Sequence, residues 1–63
     1  MTPKVYNDVT RMRGYGWRWG MIASIINRQS ILKYTPRQLE SDYEATKAGK
    51  PFDLNPVARQ KNI

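Results

Sequence analysis

A chain of 63 residues with 11 Lys and Arg, 5 Asp and Glu, no Cys and no His has room for one small domain and no second. Disulfides are excluded, and a zinc site would have to be assembled from carboxylates alone. The net charge of +6 and the pI near 10.1 suit a polyanionic partner, because each neutralised phosphate releases counterions.

That charge is uneven. In the first 33 residues Lys4, Arg11, Arg13, Arg18, Arg28 and Lys33 face only Asp8, whereas five cations and four acids nearly balance in the remainder. No run approaches the roughly 18 apolar residues of a membrane span. Residues 20–26 are short, are broken by Ser24 and read as a buried helix rather than a signal peptide. A cytoplasmic protein is expected, stabilised by helix packing in a core that supplies only about 3–5 kcal/mol.

Thr2-Pro3 is a cap followed by a proline at the first helical position. Val5, Val9 and Met12 follow at helical spacing with Tyr6 on their flank, and Lys4 and Asp8 form an i,i+4 ion pair. Gly14-Tyr15-Gly16 ends the element, so the first helix is expected over Pro3–Arg13.

Trp19, Ile22, Ala23 and Ile26 make a complete apolar stripe at i, i+3, i+4 and i+7, which Met21 and Ile25 widen. A second helix is expected over Trp17–Asn27, with Arg18 and Ser24 outward. Asn27 suits its end because Asn tolerates the left-handed conformation. Gly20 inside it costs about 1 kcal/mol relative to Ala and is read as a close approach by a neighbouring element. Residues 28–34 are read as an ordered turn, or a short extended stretch, whose Ile31, Leu32 and Tyr34 cover the core.

Thr35-Pro36-Arg37-Gln38 is the sharpest start in the chain. Thr35 caps, Pro36 sits at the first helical position, and Gln38 completes a capping box. With Leu39 and Tyr43 inward and Gly49 as the stop, a third helix is expected over Pro36–Ala48. Residues 50–63 form a tail that is partly disordered or ordered by a partner. Within it Phe52 and Leu54 are placed back on the core, and Asn55-Pro56 could start one helical turn. The fold class is therefore all-α, a three-helix bundle over residues 1–49 with a C-terminal tail.

Ile22-Ala23-x-x-Ile26-Asn27, a turn, and Tyr34-Thr35-x-x-Gln38-Leu39-x-x-x-Tyr43 together resemble helix-turn-helix domains. The likeness is greatest to the long-turn versions of serine recombinases and Myb-like tri-helical domains, and it covers about residues 17–45. A small residue at Ala23 suits a close crossing of the second and third helices. The resemblance implies a double-stranded DNA-binding protein whose third helix enters the major groove. Arg37, Gln38, Ser41 and Glu44 are then the base-contacting candidates, on guanine, adenine, either base and a cytosine amine respectively. Ala45 and Ala48 allow close approach. Lys4, Arg11, Arg13, Arg18, Lys33 and Thr35 are the phosphate-contacting candidates.

Glu40, Asp42 and Glu44 depart from this pattern, since phosphates repel acids on a reading helix. A second reading is therefore a small phage or accessory protein that binds and inhibits or adapts a host protein, through the acidic third helix and an aromatic cluster. That cluster, Tyr15, Trp17 and Trp19 with Arg13 and Arg18 interleaved, also has the composition of a base-stacking or membrane-surface segment. Trp19 is assigned to the core, and Trp17 divides evenly between core and surface. Without His or Cys there is no common general base or thiol nucleophile. Glu40 and Glu44, one turn apart, are read as a solvated face, and Gly14-x-Gly16 lacks the third glycine of a phosphate loop. No catalytic residue, metal, cofactor or small-molecule ligand is expected. The function expected is that of a transcriptional regulator or recombination accessory factor of bacterial or phage type. It would act on DNA as a homodimer or with a protein partner, and without a membrane.

Overall fold

The structure, a computed structural model, describes residues 1–31 and 33–53. It contains three α-helices, α1 (Pro3–Gly14), α2 (Trp19–Gln29) and α3 (Pro36–Lys47), joined by connections without strand among the described residues. The all-α three-helix architecture is as the periodicity requires. The expected placements of Leu32 and Leu54, and of the tail beyond Asp53, lie outside the described residues.

Two of the three helices, α1 and α3, begin where their cap chemistry dictates. Thr2 is extended and its Oγ1 accepts from the Val5 N–H at 3.2 Å, with Pro3 behind it as the residue that has no N–H to satisfy. At α3 both halves of the capping box form: Gln38 N–H donates to Thr35 Oγ1 and Thr35 N–H donates to Gln38 Oε1, each at 3.1 Å. The start of α2 is different. Arg18 is its N-cap and provides no side-chain bond.

That difference displaces α2 by two residues from the expected Trp17–Asn27. The Trp17 N–H is donated to the Met12 carbonyl at 3.3 Å, and the Gly16 N–H to Arg13 at 2.9 Å, so the chain through Trp17 belongs to the turn that closes α1, and Arg18 follows in the extended conformation of an N-cap. Gly16, at φ 84°, supplies the left-handed residue this reversal needs. At the other end α2 continues to Gln29 and Asn27 remains helical, not left-handed. Its carboxamide brackets the backbone of Tyr34 instead, Nδ2 donating to the carbonyl at 2.9 Å and Oδ1 accepting from the N–H at 2.8 Å. One side chain thereby sets the length and direction of the α2–α3 turn. The end of α3 uses Gly49 at φ 124°, after which Lys50 N–H returns to the Ala45 carbonyl at 3.0 Å.

Val5, Val9 and Met12 of α1, Ile22, Ala23 and Ile26 of α2, and Leu39 and Tyr43 of α3 form the core, with Tyr6, Trp19, Ile25 and Tyr34 packed against it. Ala23, 2% exposed, is buried in the core. Tyr43 joins α3 to α1: its ring stacks on Tyr6 at 5.0 Å and lies 5.6 Å from Trp19. Its hydroxyl donates to Thr10 Oγ1 at 2.9 Å, the Thr10 proton being given to the Tyr6 carbonyl. Met1, 1% exposed, completes the core at one end. Its ammonium lies 3.2 Å from both Asp42 and Asp53, and its carbonyl accepts from the Asp53 N–H at 2.9 Å. Residues 51–53 are thus tied across the N-terminus, and Phe52 meets Tyr6 edge-on at 5.5 Å.

Three details of the sequence reading need correction. Met21 does not widen the buried stripe; it is 54% exposed, because α2 turns only one side to its neighbours. Ile31 does not cover the core; it is 72% exposed, since the chain leaves α2 at Ser30 in an extended conformation that carries it outward. Gly20 marks no close approach, as a Cβ built there meets nothing within 4 Å. It sits in the first turn of α2, where packing neither requires nor excludes a side chain.

Candidate nucleic-acid interface

The outward side of α3 and the turn before it enclose an open groove of about 640 Å³, lined by Lys33, Tyr34, Arg37, Gln38, Ser41, Asp42, Ala45 and Lys50. Two local devices build it. The Asn27 bracket on Tyr34 fixes the turn that carries Lys33, and the Gly49 reversal brings Lys50 back to α3, so that both line the groove. Arg37, Ser41 and Ala45 follow at i, i+4 and i+8 on one face of α3 and line the groove.

Three cations surround a single carboxylate, and that carboxylate is satisfied internally. Asp42 Oδ1 accepts from Lys50 Nζ at 3.0 Å, and its Oδ2 accepts from the Tyr34 hydroxyl at 3.1 Å and meets the Met1 ammonium at 3.2 Å. Burial pushes Asp42 up, but the Lys50 hydrogen bond, the N-terminal ammonium and the Tyr34 hydroxyl outweigh it, and its pKa falls below the ordinary 3.8. Tyr34 answers in the opposite sense: burial first, then the Asp42 charge and hydrogen bond, raise its hydroxyl to about 12. Lys50 is raised by its bond to Asp42. At neutral pH the groove therefore holds an ionised but compensated Asp42 and a protonated Tyr34.

Of the base-contacting candidates, Arg37, Gln38 and Ser41 line the groove together, while Glu44 lies outside it, as does Glu40. Gln38 is half committed, since its Oε1 holds the Thr35 N–H and only the Nε2 pole is free for a ligand. The first turn of α3 is otherwise closed by Thr35 and Gln38, with Pro36 lacking an N–H, so the Arg37 N–H is the donor left outside the helix's own bonding.

The phosphate-contacting candidates separate. Lys33 lines the groove and Thr35 caps the helix beside it. Lys4 and Arg11 lie on α1, paired with Asp8 at 3.0 and 3.2 Å. Arg13 donates to the Trp17 carbonyl at 2.8 Å with its guanidinium 4.9 Å above the Trp19 ring, holding the α1–α2 turn. Arg18 is exposed at the start of α2, away from the groove. Lys50 and Tyr34 are groove residues the sequence reading missed. The glycine stop at Gly49 signals that the chain reverses there and so returns its successor to the helix, whereas nothing local ties Tyr34 to Asp42.

Among the described residues no cluster of three metal-binding side chains forms, and no helix is long and apolar enough to cross a membrane. No protein-family model, curated protein or solved structure matches the chain.

Proposed function

We propose that this chain is a double-stranded DNA-binding protein of helix-turn-helix type that presents the groove side of α3 to the major groove. The observation that carries the reading is the arrangement of Lys33, Arg37 and Lys50 around a groove whose one carboxylate is internally compensated. Arg37 is the guanine reader, with its five-donor fork suited to bidentate contact, and Ser41 reads beside it. Ala45 admits a base edge or a thymine methyl. Lys33 contacts phosphate, and the exposed Glu40 and Glu44 are directed past the groove toward solvent or a second protein. A domain this small covers few base pairs, so regulation of transcription or assistance to recombination requires a second copy or another protein on the same site. We place it in the cytoplasm of a bacterium or a phage-infected cell.

Fluorescence anisotropy of the full chain against duplex DNA, single-stranded DNA and RNA, titrated with salt, tests the reading. Duplex affinity should dominate, and log Kd should vary steeply with log salt. Lys33→Ala should lower that slope by about 0.9 with little change in sequence preference. Arg37→Ala should cost about 1–3 kcal/mol and relax selection at one base pair. Absence of duplex binding at low salt overturns the proposal.

A further inference from the structure

All five acidic residues of the chain, Asp8, Glu40, Asp42, Glu44 and Asp53, fall outside residues 9–39. The whole of α2 and both of its flanking turns are consequently free of carboxylates. Among the described residues, four of the five exposed large hydrophobic side chains are concentrated in the same stretch: Tyr15, Trp17, Met21 and Ile31, at 61%, 36%, 54% and 72% exposure. The fifth, Phe52, packs on Tyr6. Met21 and Arg28 share the outward face of α2 at i and i+7, and Arg18 caps it. Neither Arg18 nor Arg28 makes an ion pair among the described residues.

We propose that this outward face of α2, with the turn before it, docks an acidic amphipathic segment of a partner protein. Trp17 and Met21 are the apolar anchors, and Arg18 and Arg28 pair with its carboxylates. The inference is independent of the α3 groove. Three observations select this occupant. The apolar stripe does not suit a duplex backbone, which is contacted by cations and polar groups. Between residues 5 and 32 every cation is Arg, the residue whose planar fork holds a carboxylate in two parallel bonds, whereas the diffuse charge of a lipid surface makes no such selection. A second copy is disfavoured as well. An isologous contact would set Arg18 and Arg28 against each other, and the acidic side of α3 offers no exposed large apolar side chain to meet Met21. Trp, Tyr, Met and Arg without Lys, Glu or Asp is, besides, the composition of the buried centre of protein interfaces.

The anchors are held ready. Trp17 is fixed by its N–H on the Met12 carbonyl and by the Arg13 guanidinium on its own carbonyl, and its ring leans on Tyr15 at 5.3 Å. A partner therefore orders little on binding.

The test is to pan a displayed library of random 15-residue peptides on the full-length chain. Enriched peptides should carry Asp or Glu with apolar residues at helical spacing and bind the wild-type chain with micromolar Kd. Arg18→Glu with Arg28→Glu, and separately Met21→Glu, should weaken them at least tenfold while circular dichroism shows the fold intact. Arg37→Ala in the α3 groove should leave their binding unchanged. The proposal is overturned by a library that does not enrich, by enriched peptides that bind the doubly reversed chain equally well, or by peptides lost with Arg37→Ala. Binding of the chain to phosphatidylserine vesicles, or its dimerisation in sedimentation, with either one abolished by Met21→Glu, assigns the face to a membrane or a second copy and also overturns it.

Discussion

Asn27 satisfies both backbone groups of Tyr34 from seven residues away. Asn27→Ala leaves that N–H and C=O partly buried and unpaired, and should cost about 1–3 kcal/mol in denaturant unfolding. Asn27→Asp retains the acceptor but turns a carboxylate toward the Tyr34 carbonyl, so its cost should also be measurable. Asp42 predicts the pH response. Its pKa is lowered from 3.8, so its contribution is complete above that value and is lost as pH falls through the folded pKa. Tyr34 is raised from 10.0 to about 12, so its contribution is complete below pH 10 and disappears as pH climbs through about 12, with Lys50 acting in the same alkaline direction. Thermal midpoints should fall below roughly pH 4, where Asp42 is protonated, and above roughly pH 10, where Tyr34 and Lys50 lose their protons. In Asp42→Asn the acid limb should flatten, and Tyr34→Phe should remove part of the alkaline one.

Helix ends give the sharpest contrasts between equivalent-looking substitutions. Thr35→Ala breaks the capping box and should destabilise by about 1 kcal/mol. Gly16→Ala forces an L side chain to φ 84° and should cost about 1–2 kcal/mol, although the space around it is open. Gly20→Ala has the same open space in helical backbone, and should instead stabilise by roughly 0.5–1 kcal/mol. Differential scanning calorimetry of the three variants should therefore show two lowered midpoints and one raised. A lowered midpoint for Gly20→Ala would mean that α2 is packed more closely there than its surroundings indicate.

The three helices share one small core, and that makes the molecule intolerant of loss at its centre. Ile22, Ile26 and Leu39 are at most 1% exposed, and truncating any of them to Ala costs about 2–5 kcal/mol. That equals the whole of what a core of this size supplies. Ile22→Ala should accordingly be largely unfolded at 25 °C by circular dichroism, whereas the exposed Met21→Ala should keep its helical spectrum. The same smallness divides the surface into two charged regions. The α3 groove holds cations around a compensated acid, and the α2 face holds arginines around exposed apolar side chains.

Much of this could be read without coordinates. Caps at Thr2 and Thr35, glycine stops at Gly16 and Gly49, and the stripes Val5-Val9-Met12, Ile22-Ala23-Ile26 and Leu39-Tyr43 are local patterns, and local patterns determine that three helices form and which sides they bury. Arg37 and Ser41 share a groove because helical spacing at i and i+4 puts them on one face. What the chain's order of residues could not decide is every relation that spans separate elements. The start of α2 depends on how far the turn that closes α1 runs, through Trp17 to an extended Arg18, and the α2–α3 turn on an Asn27 bond to Tyr34. Met1 reaches the core only because Asp42 and Asp53, distant in sequence, converge on its ammonium. Arg11 and Arg13, two residues apart in one basic run, end in different settings, one on Asp8 and the other over Trp19. Local sequence sets backbone preference and burial pattern, but the partner of a long polar side chain is chosen by whichever groups the packed helices bring within its reach.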